Sequence, residues 1–373
     1  DQEDSTAVKV RAADGEVQRL NAAGKKVVAT DSFVNIERIV GSDVDDVLRG
    51  ASDVSGNQFS IDGAGGDDKL YSNGTGRVDG GSGDDRLYAT ASDFIFSYTQ
   101  FFGGQGRDVL DLTRIKDANW FLQLGDRSGN SRLEAFKVLE GREVGDEDKI
   151  GNATDNDKAT RILNGKMYDV EVVRFGDGDD EYFNWGNNSV RAFLGKGNDR
   201  FVEKGSGNRK EVFGGQGDDY LALLQAGGIL LGGSGDDVFL AGELSGTKGS
   251  IFGGQGGDFV TVGRFDGTIS GGSGFDTLSV RPDLRNVEID LDLGQDSITG
   301  RAGGGSVSAD LKGFEQVIGT TGRDIIRGSS EAGDRLIGGP GDDVIEGRGG
   351  SDELFGGAGF DEIFGGAGDD LLH

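Results

Sequence analysis

The chemistry of this sequence is concentrated in two residue types, glycine and aspartate, held in one frame. In GGSGDDRLY, Gly80–Tyr88, glycines stand at the first, second and fourth positions, an aspartate at the sixth and a leucine at the eighth. The frame recurs as GSDVDDVLR from Gly41, GAGGDDKLY from Gly63, GGQGRDVLD from Gly103, FGDGDDEYF from Phe175 and LGKGNDRFV from Leu194. It continues as GGQGDDYLA from Gly214, GGSGDDVFL from Gly232, GGQGGDFVT from Gly253 and GGSGFDTLS from Gly271. GTTGRDIIR, GSSEAGDRLI, GGPGDDVIE, GRGGSDELF, GGAGFDEIF and GGAGDDLLH then run almost head to tail from Gly319 to His373.

Comparing the copies separates what is required from what drifts. The sixth position is Asp in every copy, with one inserted residue in the copy at Gly328. Two positions later stands a large apolar residue, as at Leu87, Phe201, Phe239 and Ile345. The fourth position is Gly in nearly all copies, Val44 being an exception, whereas the fifth is Asp84, Arg107, Asn198, Phe275 or Ser351. The second Asp of each pair is therefore needed and the first is optional. Glycines permit the positive φ values that bend a loop sharply and turn its carbonyls toward one point. Carbonyls with a carboxylate make a hard oxygen site, suited to Ca²⁺ and its six to eight flexible ligands. The apolar residue opens a short strand with its side chain inward. Each repeat is then half of one turn of a parallel coil.

The pattern G-G-x-G-x-D-x-U-x resembles the repeats-in-toxin (RTX) family of calcium-binding nonapeptide repeats. The resemblance implies an all-β protein, a parallel β-roll or β-solenoid, with calcium between the loops of successive turns and the sixth-position Asp as carboxylate ligand. Carried onto this sequence, the metal ligands are Asp46, Asp68, Asp85, Asp108, Asp180, Asp199, Asp219, Asp237, Asp258, Asp276, Asp324, Asp334, Asp343, Asp352, Asp361 and Asp370. The loops of Asp46 and Asp334 depart furthest from the pattern.

The elements that must position these loops follow from spacing. Residues 1–50 read as a spacer or cap leading into the first repeat, and 51–111 as β-roll turns. From Phe175 to Gly271 the motif starts fall about two nonapeptides apart, separated by halves such as KEVFGG and GILLGG. Region 175–280 is thus expected to carry calcium loops on one edge. Region 319–373, with the motif in nearly every nonapeptide, is expected to carry them on both. Residues 281–318 read as a spacer coil, whose run GFEQVIGT echoes VNIERIVGS at Val34–Ser42. Residues 112–174 read as an irregular insert. In FIFSYTQFF, alternation places Phe94, Phe96, Tyr98 and Phe102 on one strand face with Ile95 and Phe101 on the other, either a sugar-stacking platform or a buried strand.

Composition bounds the function. Of 373 residues 71 are Gly, and 66 acidic residues against 38 basic ones give a net charge of −28. That balance argues against nucleic acid or an anionic membrane as partner and for cations; about fourteen divalent ions would cancel it. No apolar run has the length of a membrane span, and no signal-peptide pattern opens the chain. With no Cys and His373 as the single histidine, disulfides, thiolate sites and a Ser-His-Asp triad fall away. A chain this acidic and glycine-rich is disordered until something neutralises it, so metal binding and folding are expected to be one equilibrium.

The reading that follows is a secreted or cell-surface bacterial protein, folding on calcium, with a structural or adhesive role and an extracellular glycan or cell surface as further partner. Two alternatives stand beside it. One is a polysaccharide-active enzyme on a β-roll scaffold, with Asp111, Asp117, Glu134 and Glu140 as acid/base candidates. The other is a calcium or hard-cation buffer.

Overall fold

The computed structural model describes residues 8–11, 16–20, 27–32, 38–50, 60–72, 76–90, 98–115, 119–124, 132–138, 159–186, 189–205, 209–225, 227–242, 247–290, 297–302 and 305–373. Its described elements are all strands. They belong to two compact units, one of Asp1–Tyr182 with Val190–Gly195 and the other of Phe183–Ser189 with Lys196–His373.

Each unit is a β-solenoid. In the first, the short strand after each Asp stacks in parallel on its equivalent in the next coil. Val47–Arg49 pairs with Lys69–Tyr71, that with Arg86–Tyr88, that with Val109–Asp111, and that with Val172–Arg174. The strands leading into the loops form the facing sheet, Arg38–Val40 on Ser60–Asp62 on Gly76–Ser82 on Tyr98–Gln105. The register brings the eighth-position residues into line, so Leu48, Leu70, Leu87 and Leu110 form one fully buried column. Each inward apolar residue packs on its own counterparts one coil away, the quasi-one-dimensional core of a repeat protein.

The second unit has the same logic with longer columns. Leu221, Phe239, Val260 and Leu278 stack in one sheet, and Val212, Leu230, Ile251 and Ile269 in the other, all fully buried. Further on, Val317, Leu336 and Leu354 continue the first column.

The regions between repeat blocks are antiparallel meanders spliced into the parallel sheets. Arg285–Asp290, Ser297–Ala302 and Gly305–Lys312 run antiparallel to one another. The last strand pairs in parallel with Phe265–Ser273 before it, and the first with Ile325–Arg327 after it. Val8–Arg11, Glu16–Leu20 and Val27–Ser32 repeat the design, with Val8–Arg11 parallel to Val47–Arg49. Within 112–174, Asn119–Leu124, Arg132–Val138 and Ala159–Tyr168 form a third such meander, the last strand lying parallel to Tyr98–Gln105. The described strands of that region are thus regular, and the sequence hid them because a meander has no nonapeptide signature. No described helix is long and apolar enough to cross a membrane.

Candidate metal centre: ladders of buried aspartates

Most of the sixth-position aspartates are buried: Asp46, Asp68, Asp85, Asp108, Asp180, Asp199, Asp219, Asp237, Asp258, Asp276, Asp324, Asp334, Asp343 and Asp352 are each at most 3% exposed. Asp361 and Asp370, in the last coils, are half-buried. The loop first presses its own Asp inward. A Cβ built on Gly80 would collide with Asp85 Oδ2, and one on Gly232 with Asp237 Oδ2, so the first motif position is Gly because the carboxylate lies against it.

The coils then bring the aspartates together. In the first unit the amide of Asp46 donates to Asp68 Oδ1 at 2.7 Å, Asp68 to Asp85 at 2.8 Å and Asp85 to Asp108 at 2.9 Å. In the second unit Asp199 donates to Asp219, Asp219 to Asp237, Asp237 to Asp258 and Asp258 to Asp276, all between 2.8 and 2.9 Å. Beyond Gly319 the bonds run along two separate lines. One is Asp324 to Asp343 to Asp361, the other Asp334 to Asp352 to Asp370. Asp180, also buried, belongs to the first unit and precedes the strand Glu181–Asn184.

Two residues that sequence reasoning missed close these ladders. Asp108 donates to Glu171 Oε2 at 2.8 Å, and Asp276 donates to Glu315 Oε2 at 2.8 Å. Neither Glu has a glycine loop; each stands where a meander returns to the coil, and its longer side chain reaches the same register. The signal was present as Glu before two coil residues in DVEVVRF and GFEQVIG. The first Asp of each pair also has a role. Asp84 N donates to Asp67 Oδ1 at 2.8 Å and Arg107 N to Asp84 Oδ1 at 2.9 Å; Asp236 N donates to Asp218 Oδ1 and Gly257 N to Asp236 Oδ1. This outer ladder runs in the opposite direction and is incomplete: Arg107 and Gly257 donate to it from N but offer no side-chain acceptor of their own.

The second carboxylate oxygen makes the case for a cation. Oδ2 of Asp68, Asp85, Asp108, Asp237, Asp258, Asp276, Asp343 and Asp352 is buried and has no hydrogen-bond partner. Burial first, and then neighbouring carboxylates, push these groups upward against the opposing pull of the ladder amides. Asp68 rises to about 8, Asp108 and Asp237 to about 7, and Asp85, Asp258 and Asp343 to about 6. A buried charge persists only when paired or metal-bound. Among the described residues no three Asp, Glu or His side chains converge, so most ligands at each point have to be backbone carbonyls. One carboxylate per turn with carbonyls around it is an oxygen-only set that fits calcium, and bound calcium would supply the missing positive charge.

Asp111, offered as an acid/base candidate, is engaged locally: Thr113 donates to its Oδ1 from N at 3.2 Å and from Oγ1 at 2.6 Å, and Arg86 Nε lies 3.7 Å from Oδ2. Asp117, Glu140 and the side chain of Glu134 lie outside the described residues, as do Phe94, Ile95, Phe96 and the side chain of Tyr98. Of the aromatic strand, Phe101 is buried and Phe102 lies under the Arg77 guanidinium at 3.8 Å.

A parallel solenoid with stacked glycine loops and one buried carboxylate per loop defines a calcium-binding β-roll. A sequence profile for the RTX calcium-binding nonapeptide repeat matches four copies, over residues 72–93, 329–363 and 347–373. The chain thus carries RTX-type calcium-binding nonapeptide repeats, a repeat that binds Ca²⁺ at multiple sites. No curated protein matches it.

Proposed function

We propose that this is a secreted or cell-surface protein that folds when its repeat loops take up calcium and then serves a structural or adhesive role. The observation that carries it is the row of buried, partnerless Oδ2 atoms, one per turn in consecutive coils. Eight such oxygens in an acidic chain oppose folding, and a divalent ion at each reverses the sign. At a calcium concentration about a hundredfold above Kd, one site stabilises the fold by about 2.7 kcal/mol. Several sites together exceed the whole stability of an ordinary domain, about 5–15 kcal/mol. Calcium modules of extracellular type bind at about 10⁻⁴ to 10⁻³ M. A chain built on such sites stays unfolded where calcium is scarce and folds where it is abundant, which suits export followed by folding outside the cell. In this reading the ligands are the sixth-position aspartates of the glycine loops.

Circular dichroism during calcium titration, followed by chelation, tests this. Strand signal is expected to appear cooperatively with calcium and to vanish with chelator. An ordered fold retained after complete removal of divalent ions would overturn the proposal.

A further inference from the structure

Two loop conformations recur among the repeats, and the sixth-position Asp does not distinguish them. In the open form the second and fourth loop residues are both left-handed: Gly81 and Gly83 have φ of 102° and 129°, Gly233 and Gly235 of 125° and 126°. The form is held even where the second residue is not glycine. Ala64 and Arg348, second in the loops of Asp68 and Asp352, both sit at φ 73°. The Oδ2 atoms of Asp68, Asp85, Asp237 and Asp352 are among those without a partner.

In three loops the second residue is Ser42, Thr320 or Ser329, and none of these is left-handed. Their amides turn instead onto the carboxylate. Ser42 N donates to Asp46 Oδ2 at 2.5 Å, Thr320 N to Asp324 Oδ2 at 2.5 Å and Ser329 N to Asp334 Oδ2 at 2.6 Å. The hydroxyls reinforce this in two of them: Ser42 Oγ donates to Asp46 Oδ2 at 2.9 Å and Thr320 Oγ1 to Asp324 Oδ2 at 2.8 Å. In the third, Ser329 Oγ donates to the carbonyl of Ala332 at 3.1 Å, taking up a loop oxygen instead.

We infer that Ser42, Thr320 and Ser329 close their loops against calcium, so that Asp46, Asp324 and Asp334 belong to metal-free starting turns from which the calcium ladders are built. The inference rests on the calcium-binding reading and refines it. A hydroxyl or amide hydrogen directed at Oδ2 occupies the lone pair a cation would use and presents it with like charge. All three loops stand at the head of a ladder: Asp46 donates onward to Asp68, Asp324 to Asp343 and Asp334 to Asp352. Behind two of them lies a meander rather than a glycine loop. Val287 N donates to Asp324 Oδ1 at 3.0 Å, and Arg335 N donates to the carbonyl of Glu315. At this end of each ladder the loop's own amide pairs the buried carboxylate instead.

Crystals of the full chain grown with calcium, and separately with terbium, would locate the ions by anomalous scattering. Ions are expected beside Oδ2 of Asp85, Asp237, Asp343 and Asp352, and none within about 3 Å of Oδ2 of Asp46, Asp324 or Asp334. An ion on any of those three overturns the inference while leaving the calcium-binding reading intact; ions in no loop overturn both. Equilibrium dialysis of Thr320→Gly gives a second readout. The substitution turns GTTGRD into GGTGRD, and one more calcium per chain is expected than in the unsubstituted protein. Thr320→Val, which removes the hydroxyl but resists the left-handed backbone, is expected to gain none. An unchanged count in folded Thr320→Gly counts against the inference.

Discussion

The amide of Asp85 donates to Oδ1 of Asp108, 23 residues further along the chain, at 2.9 Å, while Oδ2 of the same Asp108 has no partner. One carboxylate is thus divided between two tasks. Its first oxygen joins one coil to the next, and its second is held for a cation. A carboxamide can do the first task and not the second, which makes the two separable by substitution.

At Asp85 the first oxygen accepts from Asp68 N at 2.8 Å. Asp85→Asn retains an acceptor there but places an amide donor or a neutral oxygen at the metal point. Changes even to residues behind a metal ligand lower affinity about 10–100-fold, and loss of a charged ligand is expected to do at least as much at this site. The calcium midpoint of folding rises, while stability at saturating calcium falls modestly. Asp85→Ala also leaves the buried Asp68 amide unpaired, a further loss of about 1–3 kcal/mol. Chemical denaturation across a calcium series distinguishes the two; equal behaviour would refute the division of labour.

Acid acts on the metal-free protein in the direction opposite to its effect on the calcium form. Burial raises Asp68 to about 8, Asp108 and Asp237 to about 7, and Asp85 and Asp258 to about 6, above the ordinary carboxylate value of 3.8. The folded state therefore binds more protons than the unfolded chain between pH 4 and 8, and folding without metal is favoured as pH falls through that window. The contribution is fully present below about 4 and lost as pH rises past 6 to 8. In chelator, strand signal is expected to grow on acidification from pH 8 to 5. With calcium limiting, the same protons compete with the metal and the calcium midpoint rises.

Glu171 and Glu315 are expected to behave as ladder ends. Glu315 Oε2 takes the amide of Asp276, and its charge also pushes Asp276 upward, behind the larger effect of burial. Glu315→Gln keeps the acceptor and removes the charge, so near-normal stability at saturating calcium is expected. Glu315→Ala leaves a buried amide unpaired and costs about 1–3 kcal/mol. Hydrogen exchange locates the effect: because each coil touches only its neighbours, protection is lost around Asp276 and kept in the coils of Asp219 and Asp237.

Much of this architecture is legible in the sequence because the repeat imposes it. Leu87 is inward since it stands two residues after Asp85, and Gly80 is glycine since Asp85 lies against it. What recurs can be compared within one chain, and comparison exposes the constraint. The meanders escaped because three antiparallel strands require only alternation, as Ile298 beside Thr299 shows, and no fixed spacing. Glu171 and Glu315 escaped because each acts once, at sequence separations of 63 and 39 from its partner. The fifth-position ladder escaped for a different reason. It is incomplete, and Arg107 and Gly257, which join it through N without offering a side-chain acceptor, made the position resemble indifference.

The two loops that reach the open form without glycine at their second position offer the sharpest test of how backbone geometry is paid for. Ala64 sits at φ 73°, where an L-residue costs about 1–2 kcal/mol relative to its ordinary regions. Ala64→Gly removes that strain but adds about 0.4–1 kcal/mol of unfolded-chain entropy. The net expectation is a gain of up to about 1 kcal/mol at saturating calcium, with affinity at Asp68 unchanged or tighter. The reverse change one coil on is not its mirror image. Gly81 has φ 102°, and a Cβ there would strike the carbonyl oxygen of Ala64 in the adjacent turn. Gly81→Ala therefore costs about 1–3 kcal/mol in backbone strain before the collision is counted, and both the Asp68 and Asp85 loops are expected to lose calcium affinity. Denaturation midpoints of the two variants at one calcium concentration provide the check. Equal and opposite shifts would show that backbone strain alone sets the loop, whereas a much larger loss at Gly81 shows that contact with the neighbouring turn sets it.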